Sequence, residues 1–327
     1  MPVKSVGFAI GNLRARENRL LKQSDMSQLL SAKNTDELAN MLRDKGIGGE
    51  NTAASDVPEL LREDTEKLWR YLTENAPDMD CFAPFIYEND FHNYKAVLKA
   101  VIRGRDYENL LIVPAITEVS VIERAVKEKR FDLLPEYMQE SAAEAYEVLA
   151  QTGDSQLSDC IIDAGCMTAK LNKAKEIKNE VILKLVTVSV FYSNMKAALR
   201  ASKTGKSPSF IESALTETGV VSKKAMVNAA VSGEEKLLEL LSSAVSVGGA
   251  EAAEAYKRSP GEFEKYADDR LINTAKKCKY ITMGVEPLIG YMLARQAEIK
   301  DLRIIYSGVK TDQPTDRTRE RLRELYG

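Results

Sequence analysis

Residues 93–104 read NYKAVLKAVIRG, and residues 194–205 read NMKAALRASKTG. Both run from an Asn through an apolar residue, Lys and Ala to a Leu, a basic residue, a second Ala and a closing Gly. A match this short suggests an internal repeat, and two weaker echoes widen the pattern. NLRARENRLLKQ begins at Asn12 and DLRIIYSGVKTD begins at Asp301. In all four the first residue is Asn or Asp, the second is apolar (Leu13, Tyr94, Met195, Leu302) and the third is basic (Arg14, Lys95, Lys196, Arg303). Four starts bound three intervals of comparable length, as expected of a threefold repeat whose two chain ends complete one shared unit. The competing reading is that basic, Ala-rich helices resemble one another by composition alone.

Around the two phrases the apolar residues fall three and four apart. Phe91, Tyr94, Leu98, Val101 and Ile102 form one stripe. Val181, Leu185, Val188, Tyr192, Met195 and Leu199 form a longer one, and both spacings predict amphipathic helices. Start and stop residues agree. Thr35 is placed to cap DELANMLRDK before Gly46, and Ser207-Pro208 opens a helix carried as far as Gly219. Pro287 suits a first helical turn, where a missing N–H costs nothing. No alternating strand pattern stands out, so the fold class expected is all-α. Polar or Gly-containing joints at 46–56, 151–159, 202–209 and 246–252 are candidate boundaries, each too short for a free linker.

The basic residues recur at helical spacing as well. Lys95, Lys99 and Arg103 follow one another every fourth residue, and Lys196 and Arg200 repeat the scheme. Most such stripes are simply solvated. A threefold repeat would give them more weight, because equivalent positions would then line one face three times.

Composition narrows the function classes. The chain has 327 residues, 44% hydrophobic and 29% charged, with 18 Gly and 10 Pro, which favours long helices around a sizeable core and a length suited to two or three domains. Its 46 basic and 49 acidic residues give a net charge of −3, without the basic excess of a dedicated nucleic-acid binder. The first sixteen residues, MPVKSVGFAIGNLRAR, lack the apolar run of a secretory signal. The most apolar segment, Val181 to Tyr192, is short and interrupted by Lys184, so no membrane insertion is expected. Four sparse Cys (Cys81, Cys160, Cys166, Cys278) fit a reducing cytosol.

Catalytic and cofactor motifs are wanting. The lone His92, beside Asp90 and Asn93, has no second His with which to hold a metal. TGKS (204–207) echoes the end of a phosphate-binding loop but lacks its upstream Gly and follows a helix. Asp268 and Asp269 suggest a Mg²⁺-dependent all-α enzyme only weakly, since neighbours on a helix point about 100° apart. Cys160 and Cys166 are too widely spaced for a redox turn. Neither a catalytic residue, a metal site nor a cofactor is expected.

The C-terminal stretch GVEPLIGYMLARQAEIKDLRIIYSGVKTDQPTDRTRERLREL (284–325) is more specific. It resembles the C-terminal signature of the C subunit of the A/V-type rotary ATPases, the counterpart of the d subunit in eukaryotic vacuolar enzymes. Glu286-Pro287-Leu288, Tyr291, Leu293-Ala294, Glu298-Ile299-Lys300, Leu302 to Ile305 and residues 319–323 carry the match, and NLRARENRLLK (12–22) is similar to the family's opening. Val285 stands where Pro is often found and Asp301 where Asn is commoner. An aromatic usual before the opening Ala-Arg is replaced by Ile10, Gly11 and Asn12.

The resemblance implies three similar helical domains in a funnel of approximate threefold symmetry. They would be residues 1–90 (completed by the C-terminal helices), 91–190 and 191–327. It implies a non-catalytic connector, present once per complex. Such a connector caps the cytoplasmic face of the proteolipid ring, receives the central shaft and sits peripherally on the inner side of the membrane. Arg14, Lys95, Lys99, Lys196, Arg200 and Arg303 are then the candidate contacts to acidic groups of the shaft. The alternative is an unrelated α-helical adaptor that docks soluble partners.

Overall fold

The computed structural model describes residues 6–49 and 56–327, which are helical with no strand among them. Residues 50–55 of the 46–56 joint, and the first five residues of the stretch read for a secretory signal, lie outside that description. In chain order come α1 (Val6–Glu17), α2 (Gln23–Leu29), α3 (Thr35–Asp44) and α4 (Val57–Asn75), followed by α5 (Ala83–Arg103), α6 (Val119–Glu128), α7 (Glu136–Thr152) and α8 (Ser155–Ile177). Then follow α9 (Glu180–Lys203), α10 (Pro208–Ser213), α11 (Lys223–Ser232), α12 (Glu234–Ser243), α13 (Gly249–Arg258), α14 (Pro260–Ala275), α15 (Glu286–Lys310) and α16 (Thr315–Glu320).

The chain divides into two compact units. One is built from both ends, up to Met79 and from Ala255 onward; the other is the continuous stretch Asp80–Glu254. In the first unit Leu38, Leu42, Leu60 and Leu61 of the amino end share a core with Ile299, Leu302 and Ile305 of α15. Buried beside them, Arg295 pairs with both Asp64 and Glu298, so each ionisable group taken out of water there has a partner of opposite type. In the second unit α7 packs along α8, and α8 along α5 and α9. Tyr94, Val97, Leu98, Ile122, Met138 and Ile161 form that core, and the Tyr94 hydroxyl donates to the Ala142 carbonyl at 2.7 Å.

Local signals explain most helix ends and correct a few expected from sequence. Asn34, not Thr35, caps α3 by accepting from the Glu37 N–H at 2.9 Å. Ser207 caps α10 as expected, but that helix stops at Ser213, well short of Gly219. The polar joint at 151–159 is a tight corner: Gly153 turns left-handed at the end of α7, and Asp154 accepts from Leu157 N–H to start α8. The apolar segment expected to be short extends through α9, 24 residues long and apolar enough by length and composition to cross a membrane. Its most apolar window is 56% buried within the protein, which accounts for that composition by core packing.

The repeated phrase has one structural meaning in three places. Asn93, Asn194 and Asp301 are each 1% exposed, in the later turns of α5, α9 and α15. Eleven residues on, the chain enters the left-handed region at Gly104 (φ 62°), Gly205 (φ 62°) and Asp312 (φ 51°). The next N–H reaches back to close the helix, from Arg105 to the Ala100 carbonyl (2.9 Å), Lys206 to Ala201 (3.0 Å) and Gln313 to Gly308 (2.9 Å). A short helical turn follows, then a Leu (Leu111, Leu215, Leu322) and a residue whose N–H donates to the Asn or Asp. These bonds are Ile112 to Asn93 (2.8 Å), Thr216 to Asn194 (3.1 Å) and Arg323 to Asp301 (3.0 Å). The phrase at Asn12 does not join them. Asn12 is exposed, accepts from Arg16 within α1, and that helix ends at Glu17.

Candidate functional site

Four of the six candidate cations lie in the second unit, and three of them line one cleft. It has a volume of about 530 Å³ and is walled by α5, α8, α9 and α10. Lys95 comes from α5; Lys196 and Arg200 come from α9, one turn apart on the same face. Two further cations that the sequence alone did not single out, Lys170 of α8 and Lys206, complete the basic lining, while Glu88, Asp159 and Asp163 oppose it. Phe91, Met167 and Phe210 supply apolar wall between the charges, and the Lys206 ammonium lies 4.7 Å from the centre of the Phe210 ring.

Pairing divides these cations into two groups. On α5, Lys95 bonds Asp163 (2.6 Å) and Lys99, just outside the cleft, bonds Asp159 (2.6 Å). Lys170 is buried and pairs with Glu88. Burial pulls its pKa down, but the carboxylate outweighs that and holds the ammonium above its ordinary range. On the other side, Arg200 is exposed and Lys206 donates to the neutral Gln156 at 2.6 Å. Five cations against three carboxylates leave the cleft positive, with the excess toward Arg200 and Lys206. Such a wall suits an acidic protein surface better than a nucleophile or metal. Burial pushes the Cys166 thiol up to about 12 and raises Cys160, which Asp163 and Asp159 raise further, so both thiols favour the protonated form.

The remaining two candidates are elsewhere, in the first unit. Arg14 pairs with Glu17 (2.6 Å) and donates to the carbonyls of Lys279 (2.8 Å) and Ile281 (3.1 Å), so its guanidinium holds a loop. Arg303 is exposed on α15. The rejected motifs have structural employment too. His92 Nε2 lies 2.9 Å from the Leu110 carbonyl oxygen, Gly205 is the left-handed residue after α9, and Asp268 binds Arg323 Nε at 2.8 Å. Asp269 bonds Lys265 at 2.9 Å. The sequence did carry a signal for the missed α8 wall: Asp159 and Asp163, four apart, match the spacing of Lys95 and Lys99 with opposite sign.

Comparison with known proteins covers the chain nearly end to end. The family model described as ATP synthase (C/AC39) subunit matches residues 9–321. The V-type sodium ATPase C subunit of Enterococcus hirae is 21% identical, covering 96% of this chain and 97% of that protein. The A-type ATP synthase C subunit of Methanobrevibacter smithii is 24% identical over 90% of this chain and 81% of its own length. Its counterpart in Methanothermobacter thermautotrophicus is 24% identical, over 91% and 83%.

Proposed function

The chain belongs to the ATP synthase (C/AC39) subunit family, and from that membership we propose that it is the non-catalytic central-stalk connector of a V/A-type rotary ATPase. In this reading it links the central shaft to the cytoplasmic face of the proteolipid ring and passes rotation between them, one copy per complex. The observation that carries the proposal is the nearly complete overlap with rotary-ATPase C subunits, in which neither chain leaves a domain-sized remainder in the Enterococcus hirae comparison. The three clasped helices α5, α9 and α15 support a chain built on a threefold plan, with a funnel as its expected form.

The physical demands of the role agree with the sequence. Transmitted torque needs a stiff body, and long packed helices with capped ends supply one. Attachment to soluble and membrane-bound partners needs interfaces of ordinary size, on the order of 1,600 Å² each. The positive cleft around Lys196 and Arg200 is the part of the candidate surface assigned to acidic groups of the shaft, with Arg303 as a separate contact.

The deciding experiment is affinity isolation of the tagged chain from gently solubilised membranes of its native host. Recovery of shaft and ring subunits with ATPase activity in the eluate is expected. Recovery of soluble partners alone would replace the connector by a helical adaptor. Charge reversal of Lys95 together with Lys196 then tests the cleft: weaker shaft binding with a flatter salt dependence is expected, and unchanged binding rejects the assignment.

A further inference from the structure

The three clasps differ at one atom. Asn93 both accepts from the Ile112 N–H (2.8 Å) and donates its own side-chain N–H to the Ile112 carbonyl (3.0 Å). Asn194 does the same with Thr216, accepting at 3.1 Å and donating at 2.6 Å. Asp301 accepts from the Arg323 N–H through Oδ1 at 3.0 Å, but a carboxylate has nothing to donate. Its Oδ2 is buried without a hydrogen-bond partner. Helix position, burial, the left-handed residue eleven further on and the returning backbone N–H all correspond, so the odd atom sits where the other two clasps hold an NH₂ group.

We infer that Asp301 is a proton-operated latch on the C-terminal segment. With a proton on Oδ2 it donates to the Arg323 carbonyl and completes the two-way clasp that Asn93 and Asn194 make at every pH. The proton comes from solvent through the small hollow of about 230 Å³ that Asp301 lines together with Arg319, Leu322 and Leu325. Without that proton the returning segment is held at this point by one bond, and an ionised oxygen replaces the donor.

Every element packed around the carboxyl bears on its titration. From α14 come Lys265, which favours the charged form, and Asp269, which opposes it. From the returning segment Arg323 favours the charged form through its N–H and its guanidinium, and Arg319 and Glu324 line the same hollow. From α2 come Gln23 and Met26, neither of which titrates. Burial is the largest influence and raises the carboxyl from its ordinary value of 3.8 to about 6. The sign follows from linkage. A folded-state pKa above the unfolded one means that the contribution is complete below about 4 and is lost as pH rises through about 6.

Amide hydrogen exchange of the full chain between pH 5 and 8, corrected for intrinsic rates, tests the latch. Thr216, clasped by Asn194, serves as the internal reference for Arg323. The protection of Arg323 relative to Thr216 should fall on the order of fivefold as pH rises through 6, the effect of losing one net hydrogen bond. In Asp301→Asn the ratio should become flat and exceed the wild-type value at pH 8. A flat wild-type ratio overturns the inference without recourse to any variant. So does an Asn variant whose Arg323 protection keeps the wild-type pH profile.

Discussion

α5 and α9 carry the same phrase, end in the same left-handed glycine and hold the following segment by the same reciprocal clasp, yet their charged faces differ. Lys95 and Lys99 of α5 are answered one for one by Asp163 and Asp159 of α8. On α9, Arg200 stands exposed at the cleft rim, and Lys206 just beyond the helix meets a neutral amide. The clasps differ too in what they hold. Thr216 is 6% exposed, whereas Ile112 is 39% exposed in a return segment that also shows Leu110, Val113 and Ile116 to solvent. A repeated sequence thus fixes a backbone device through residues inside the repeat, while the neighbours of each copy decide how the same cations are used.

The sharpest way to break this comparison is to remove the clasps. Asn194→Ala strands the N–H and carbonyl of a buried residue, and its cost should be roughly 2–4 kcal/mol in urea unfolding. Asn93→Ala should cost about 1–2 kcal/mol, because water reaches Ile112 and replaces part of what is lost. The reverse order would show that exposure of the held segment does not set the clasp's value. Next come the helix ends. Gly104 and Gly205 share a φ of 62° with open space where a Cβ would stand, so Ala at either should cost a similar ~1 kcal/mol, set by the backbone alone. Unequal costs would mean that the two caps are not equivalent. The smallest effect concerns the ion pairs. A double-mutant cycle on Lys95 and Asp163 should return less than ~1 kcal/mol, because both partners are partly hydrated. Arg200→Met should leave unfolding unchanged while weakening shaft binding, and a destabilised Arg200→Met protein would refute its reading as a binding residue.

Much of this was legible in the chain. Tyr94, Leu98, Met195 and Leu199, placed on apolar stripes by their spacing, are buried. Spacing cannot see where a stripe stops, and Ile102, given to the same face as Leu98, is 38% exposed beyond the packed turns. The phrase was visible as letters, but its content was not. Nothing in NYKAVLKAVIRG says that Asn93 will seek the backbone of Ile112, since that bond depends on a turn that brings nineteen residues back to the helix. The same limit explains the fourth echo. NLRARENRLLKQ has the right opening, but α1 ends at Glu17, six residues before Gln23, which stands at the position of Gly104, Gly205 and Asp312. Arg14 looked equivalent to Lys95 by position, and only tertiary contacts show its guanidinium committed to two loop carbonyls. The cleft's acidic wall came from α8, whose charges make sense only once that helix is known to lie against α5.

The split make-up of the first unit has a consequence for the order in which the protein can be made. A ribosome that has delivered Glu254 has released every residue of the second unit's core, which can close while synthesis continues. The amino-terminal helices emerged earlier and must wait, because Leu38, Leu42 and Leu60 bury themselves against residues of α15 that do not yet exist. Their unburied leucines are the surface most in need of protection during that interval. A chain stopped at Glu254 should therefore resist protease across Asp80–Glu254 and be cut within α3 and α4, whereas the finished chain resists in both.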